Sequence, residues 1–146
     1  MKHKLTRKHT GEKFECLNEV WDFIETKQSN IPEAGVGIFA KQDIPNNVLL
    51  TWYKGFKTNK AINAAYAWNY KSDITGQPIK IEADLCATSN PMAFVNTFAN
   101  DEQYKLLNCK TVTINERIYY KTVKKIKKGQ ELIVDYKNSN YFKNKK

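Results

Sequence analysis

Residues 111–123 carry the pattern that most restricts the fold. Thr111-Val112-Thr113-Ile114 alternates polar with apolar, Asn115-Glu116-Arg117 breaks the run, and Ile118-Tyr119-Tyr120-Lys121-Thr122-Val123 alternates back. Period-two alternation on both sides of a polar break predicts an antiparallel hairpin with one buried face. Other short runs read the same way: Gly37-Ile38-Phe39-Ala40, Val48 to Tyr53 after the turn Pro45-Asn46-Asn47, Tyr66 to Tyr70, Ile79 and Ile81 between Lys80 and Glu82, and Leu132-Ile133-Val134 after Lys128-Gly129. Each is rich in β-branched or aromatic residues and bounded by turn formers. Helical signal is limited to single turns, at Ala61 to Ala65 and at Met92 to Val95, the latter opened by Asn90-Pro91. The fold class expected is mainly β, with several small curved sheets and few short helices. Without long βαβ alternation, a nucleotide-binding parallel sheet is excluded.

A chain of 146 residues supports one hydrophobic core. Its longest apolar run, Ala64 to Trp68, is far shorter than a membrane span or a signal-peptide core; no membrane association is expected. Cys16, Cys86 and Cys109 are odd in number and form no C-x-x-C pair, which points to a reducing, intracellular setting and to no metal site built from cysteine alone. The net charge of +9 is uneven: residues 1–14 carry +4, residues 121–146 carry +7, and the body between carries −2. Basic ends on a near-neutral body suit a protein that lies close to nucleic acid while accepting a basic peptide, and equally suit plain solubilising lysines.

Three segments carry potential chemistry. Pro32-Glu33-Ala34-Gly35-Val36-Gly37-Ile38-Phe39-Ala40 holds a G-x-G that lets backbone amides and carbonyls approach a ligand. It lacks the third glycine and the helix of a dinucleotide fingerprint, and a G-x-G alone before a strand is usually just a turn. Asn90 to Asp101 places the neutral amide of Asn96 at the end of an apolar turn, where it can hold a charged ligand group or cap local backbone. Ile126 to Tyr136 sets an Asp-Tyr pair, Asp135-Tyr136, at the end of a short apolar strand, a place that serves packing or a site.

In this order and spacing the segments resemble the SET fold of protein-lysine methyltransferases, nearest to the PR-domain branch known from PR-domain zinc-finger proteins. Ala34-Gly35-Val36-Gly37-Ile38 is similar to the family's A-G-x-G-[IV] stretch and Asp43-Ile44-Pro45 to its D-I-P. Trp52-Tyr53-Lys54-Gly55 resembles its Y-x-G strand, and Ala65-Tyr66-Ala67-Trp68 its Y-x-W strand. Asn90 to Asn96 is similar to N-W-M-R-[YF]-V-N, Ile118 to Thr122 to I-[FY]-Y-R-T, and Gly129 to Tyr136 to G-x-E-L-x-x-x-Y. The resemblance implies several small curved sheets with a pseudoknot-like C-terminal crossing, binding of S-adenosyl-L-methionine, and methyl transfer to a lysine ε-amine, with a histone tail as the basic peptide substrate. It implies Tyr136 as the central catalytic tyrosine and Tyr53 as a channel-wall residue that orients the lysine. Ala34, Gly35, Val36, Gly37, Tyr66, Asn96 and Thr97 would hold the cofactor, and the aromatic tail residues Tyr141 and Phe142 serve either as cover over its adenine or as plain tail packing. A nuclear location follows from the family and from Lys124-Lys125-Ile126-Lys127-Lys128.

The chain departs from the pattern in ways that bear on activity. Thr97 stands where the SET motif commonly has histidine, and Pro91 and Ala93 stand where the PR branch has Trp and Arg. The alternative they motivate is a catalytically inactive domain serving as a chromatin-associated interaction module. His9-Thr10-Gly11-Glu12-Lys13-Phe14 resembles the linker between two-cysteine, two-histidine zinc fingers, yet too few residues precede His9 for a cysteine pair and no second cysteine follows Cys16. No zinc finger is expected within the chain; the basic ends suggest at most a weak nucleic-acid contact. The expected organisation is a basic segment at 1–20, a SET-like domain at 21–142 and a basic tail at 143–146.

Overall fold

The computed structural model describes residues 2–31, 34–57, 67–86, 89–97 and 105–135. Among the described residues ten strands follow one another: β1 (Lys2–Thr6), β2 (Lys13–Leu17), β3 (Ile24–Gln28), β4 (Val36–Ala40), β5 (Leu49–Trp52), β6 (Gly55–Lys57), β7 (Ala67–Lys71), β8 (Pro78–Ala83), β9 (Cys109–Ile114) and β10 (Arg117–Thr122). Two 3-10 turns, Val20–Asp22 and Pro91–Phe94, are the helical elements among the described residues. The strands form a five-stranded sheet in the order β1-β2-β5-β10-β9, a three-stranded sheet β6-β8-β7, and the hairpin β3-β4. This is the mainly-β, several-sheet architecture that the alternating patterns predict.

The β9–β10 hairpin is tighter than the sequence suggests. Ile114 pairs with Arg117, which leaves the two-residue turn Asn115-Glu116 with φ of 52° and 69°. Both residues lie in the left-handed region that a two-residue hairpin turn demands. Glu116 is an unusual choice there, and a neighbouring loop supports it: Asp73 accepts the Asn115 N–H at 2.8 Å and the Glu116 N–H at 2.7 Å. Asp73 also pairs with Arg7 at 2.8 Å, so one carboxylate joins the β1–β2 turn, the β9–β10 turn and the loop after β7.

Residues 2–17 are packed with the rest of the fold. β1 and β2 pair from Lys2 opposite Leu17 to Thr6 opposite Lys13, and β2 lies parallel to β5 through Cys16 and Leu49. The finger-linker-like residues form the turn between them, closed by Arg7 N–H donating to the Glu12 carbonyl at 2.7 Å, with Gly11 at φ +77°. Half-buried Leu5 and Phe14 close over Cys16, Leu49, Ile114 and Tyr119, a second apolar cluster beside the main core.

Leu132-Ile133-Val134, expected as a last strand, is instead a bridging segment. Glu131 bridges Phe39 in antiparallel fashion, whereas Ile133 bridges Asn96 and Val134 bridges Cys109 in parallel. Leu132 N–H donates to the Ile38 carbonyl at 2.8 Å and Val134 N–H to the Asn96 carbonyl at 2.9 Å. Three distant parts of the chain therefore meet around this late segment, whose side chains Leu132, Ile133 and Val134 are at most 1% exposed.

Candidate functional site

The β4 hairpin brings the G-x-G loop to the late segment. Gly35 adopts φ +74°, a conformation that L side chains rarely take, and its carbonyl accepts the Ser29 N–H at 2.7 Å. Gly37 answers a different need. A Cβ there would collide with the Glu131 carboxylate and press on the Asn96 amide, so glycine is what allows these groups to close over the strand.

Asn96 is the hub of the site. Its Nδ2 donates to the Val36 carbonyl at 3.1 Å and to Glu131 Oε2 at 3.3 Å, while its own backbone is held by Val134. Glu131, only 8% exposed, accepts Ser29 Oγ–H at 2.6 Å and the Asn30 N–H at 2.9 Å. Among the described residues no lysine, arginine or histidine pairs with it. A buried carboxylate held by neutral donors gives the neighbourhood a negative potential that water screens poorly. Beside Asn96, Thr97 is 5% exposed and its Oγ1 is buried without a hydrogen-bond partner among the described residues. Such a hydroxyl costs roughly 1–3 kcal/mol unless something supplies the missing bond.

Tyr53 sits in the main core, 3% exposed, just beyond β5. Its ring meets Trp68 edge-on at 6.1 Å and stacks on Tyr120 at 6.3 Å, and Trp68 meets Tyr120 edge-on at 6.5 Å. The backbone beyond Tyr53 is clamped by Asn90, which is fully buried: its Oδ1 accepts the Lys54 N–H at 2.9 Å and its Nδ2 donates to the Lys54 carbonyl at 2.6 Å and the Asp84 carbonyl at 2.9 Å. Close passage of β6 and β8 then requires Gly55, whose Cβ would strike the Glu82 carbonyl.

Of the sequence-derived site residues, the structure brings Val36, Gly37 and Asn96 into direct contact, with Ala34, Gly35 and Thr97 adjoining along the chain. Tyr53 shares a core with Val95 and Val134, which flank the same crossing. Tyr66, Tyr136, Tyr141 and Phe142 lie outside the described residues. Pro91 and Ala93, at the two departures from the PR pattern, are both buried in the 3-10 turn. Glu131, Ser29 and Asn90 were not proposed as site residues from the sequence; Glu131 carried a signal as the acidic letter of G-x-E-L and Asn90 as the first letter of the N-W-M-R-[YF]-V-N-like segment, whereas Ser29 carried none.

Comparison with known proteins gives this site a context. The family model described as PR domain zinc finger protein 2, PR domain, matches residues 24–146. Histone-lysine N-methyltransferase set-17 of Caenorhabditis elegans is 29% identical over 116 residues, covering 77% of this chain and 40% of that protein. Histone-lysine N-methyltransferase MECOM of Mus musculus is 25% identical over 117 residues, covering 80% of this chain and 9% of its own length. The chain thus spans less than half of either relative. Among solved structures, the methyltransferase domain of human PR domain-containing protein 2 superposes with a TM-score of 0.61 at 26% identity, covering 77% of this chain and 75% of that one. A neighbour of lower identity, ATXR5 in complex with histone H3.1 mono-methylated on R26, shares the fold at a TM-score of 0.61 and 17% identity, covering 77% of this chain and 56% of its own.

Proposed function

This chain belongs to the PR-domain family, and from that premise we propose that it is an S-adenosylmethionine-dependent protein-lysine N-methyltransferase acting on a histone tail in the nucleus. The observation that carries the reading is the Asn96 hub, with an orphaned Thr97 hydroxyl at its edge. The residues present fit the cofactor. Exposed Val36 and its neighbours Ala34 and Gly35 offer backbone groups, Asn96 and Thr97 offer neutral polar ones, and the Glu131 carboxylate favours a cationic ligand over a phosphate. S-adenosylmethionine, when bound, supplies an electrophilic methyl group on a sulfonium.

The protein's own work lies on the lysine. A nucleophilic amine must be neutral, whereas a free lysine has a pKa of about 10.4. Aromatic walls that exclude water disfavour the ammonium form. In this reading Tyr53, backed by Trp68 and Tyr120, holds the aliphatic lysine stem, and the hydroxyl of Tyr136 orients the nitrogen. The clamp at Asn90 fixes the Tyr53 backbone so that the wall does not shift as substrate enters. The names of the relatives, both histone-lysine methyltransferases, support a histone tail as substrate.

Titration of S-adenosylmethionine into the protein by calorimetry tests the cofactor half of this reading. The parent binds, and Asn96→Ala weakens binding by about tenfold or more, the equivalent of one good hydrogen bond. A parent that takes up no cofactor contradicts it. Burial of Pro91 and Ala93, with Thr97 in place of histidine, favours a second reading in which the domain serves chromatin as an interaction module without turnover. Tight cofactor binding counts against that second reading.

A further inference from the structure

Residues 121–128 carry five lysines and no acidic residue. Their backbone is fixed rather than frayed. Thr122 and Ile126 are fully buried, and Ile44 and Ile126 exchange N–H···O bonds of 2.8 and 3.0 Å. Lys127 N–H donates to Gln130 Oε1 at 2.8 Å and Lys128 N–H to Asp43 Oδ1 at 2.9 Å. With Ile126 anchored inward, Lys124, Lys125 and Lys127 remain exposed. Together with Lys105 they line a cavity of about 420 Å³. At the other end of the stretch, Lys121 joins Lys2, Lys4 and Lys13 around a cavity of about 500 Å³.

Glu131 lines the first cavity and Glu12 and Glu15 the second; of the acidic groups near these lysines two are engaged elsewhere and two pair with lysines of the set. Glu131 is buried and bonded to Ser29 and Asn30, and Glu12 pairs with Arg7. Glu15 reaches Lys2 at 3.1 Å and Asp43 reaches Lys125 at 3.5 Å. Among the described residues the other six of these eight lysines have no ion pair. We propose that the two cavities and the lysine ridge between them form one contact surface for the phosphate backbone of duplex DNA. Two features favour a polyanion over an acidic peptide. The charge runs along a continuous stretch and into two cavities instead of ringing a single anchor pocket. It is also supplied by lysine, a point charge that accepts phosphates in many geometries. The ridge leads through Gly129 directly into Glu131 and Val134 of the Asn96 site, so a duplex held here lies one loop away from that site. The surface stands beside the methyl-transfer reading and does not depend on it.

The test is fluorescence anisotropy with a short labelled duplex, titrated over a range of salt concentrations and without cofactor. The parent binds with a steep salt dependence. The combined variant Lys105→Gln, Lys124→Gln, Lys125→Gln, Lys127→Gln binds about tenfold or more weakly at low salt, and the slope of log affinity against log salt falls by about three. A Lys4→Gln, Lys13→Gln variant loses less, and Lys71→Gln, exposed on β7, loses nothing. Thermal unfolding of each variant establishes that it is folded, and the partial variant keeps the test valid should the combined one fail to fold. A parent without affinity for the duplex, or a combined variant with the parent's affinity and slope, overturns the proposal. Tighter binding of poly-glutamate than of the duplex also overturns it, and assigns the surface to an acidic protein segment.

Discussion

The Glu131 carboxylate occupies the space that a side chain on Gly37 would need. The relationship explains why the second glycine of the G-x-G is required even though its backbone is an ordinary strand. Gly37→Ala forces Glu131 and Asn96 apart, and we expect a loss of about 1–3 kcal/mol, typical of overpacking. Urea unfolding of the cofactor-free protein measures it. Gly35→Ala provides the contrast: no atom lies near its missing Cβ, but φ is +74°, so its cost, about 1 kcal/mol, comes from backbone strain alone.

Thr97→Val should move stability and affinity in opposite directions. The substitution removes a buried hydroxyl that lacks a partner among the described residues and keeps the shape, so the cofactor-free protein gains about 1 kcal/mol. The same change deletes a group proposed to contact the cofactor, and the calorimetric affinity falls several-fold. A variant that is destabilised and binds unchanged assigns Thr97 a purely structural role.

Asp73 makes stability depend on acid pH. Burial works to raise its pKa, but the N–H groups of Glu116 and Asn115 and the Arg7 guanidinium outweigh that and hold it below the usual carboxylate value. A group whose pKa is depressed in the folded state stabilises fully above its unfolded value, about 3.9, and loses that contribution as pH falls through the folded value. Urea midpoints should therefore drop more steeply below about pH 4 for the parent than for Asp73→Asn. Parallel profiles for the two proteins refute the role given to this carboxylate.

The three cysteines differ sharply in reactivity. Cys86 is exposed, whereas burial pushes the Cys16 thiol up to about 11 and the Cys109 thiol higher still. Because the thiolate is the reactive form, iodoacetamide at mildly alkaline pH should add one label to the native protein and three after unfolding, read by mass spectrometry. Rapid labelling of Cys109 in the native state contradicts the packing described around the late segment.

What the sequence discloses follows from how local each signal is. The β9–β10 hairpin, β4, β5, β8 and the turn at Pro91 were legible because their alternation and turn residues are contiguous. β1 and β2 were not: Lys2 to Thr6 is mostly charged or polar, and its strand state comes from Leu5 and Phe14 packing beside β5. The finger-linker-like residues fold as the β1–β2 turn, since a turn closed by Arg7 and Glu12 uses the glycine and polar residues that a linker uses. In the site, Asn96 and the G-x-G stood out by motif. Glu131 and Asn90 act through partners dozens of residues away, Ser29 and Lys54 among them, and no local pattern encodes such bonds.

The central claim is methyl transfer, and the most direct measurement is incorporation of labelled methyl from S-adenosylmethionine into core histones by the parent and by Tyr136→Phe. The account predicts lysine-borne label with the parent and a loss of about a hundredfold or more with the variant, the scale of one catalytic proton-handling or orienting group. Equal incorporation by both proteins removes Tyr136 from the mechanism, and no incorporation by a cofactor-binding parent contradicts the assignment of activity.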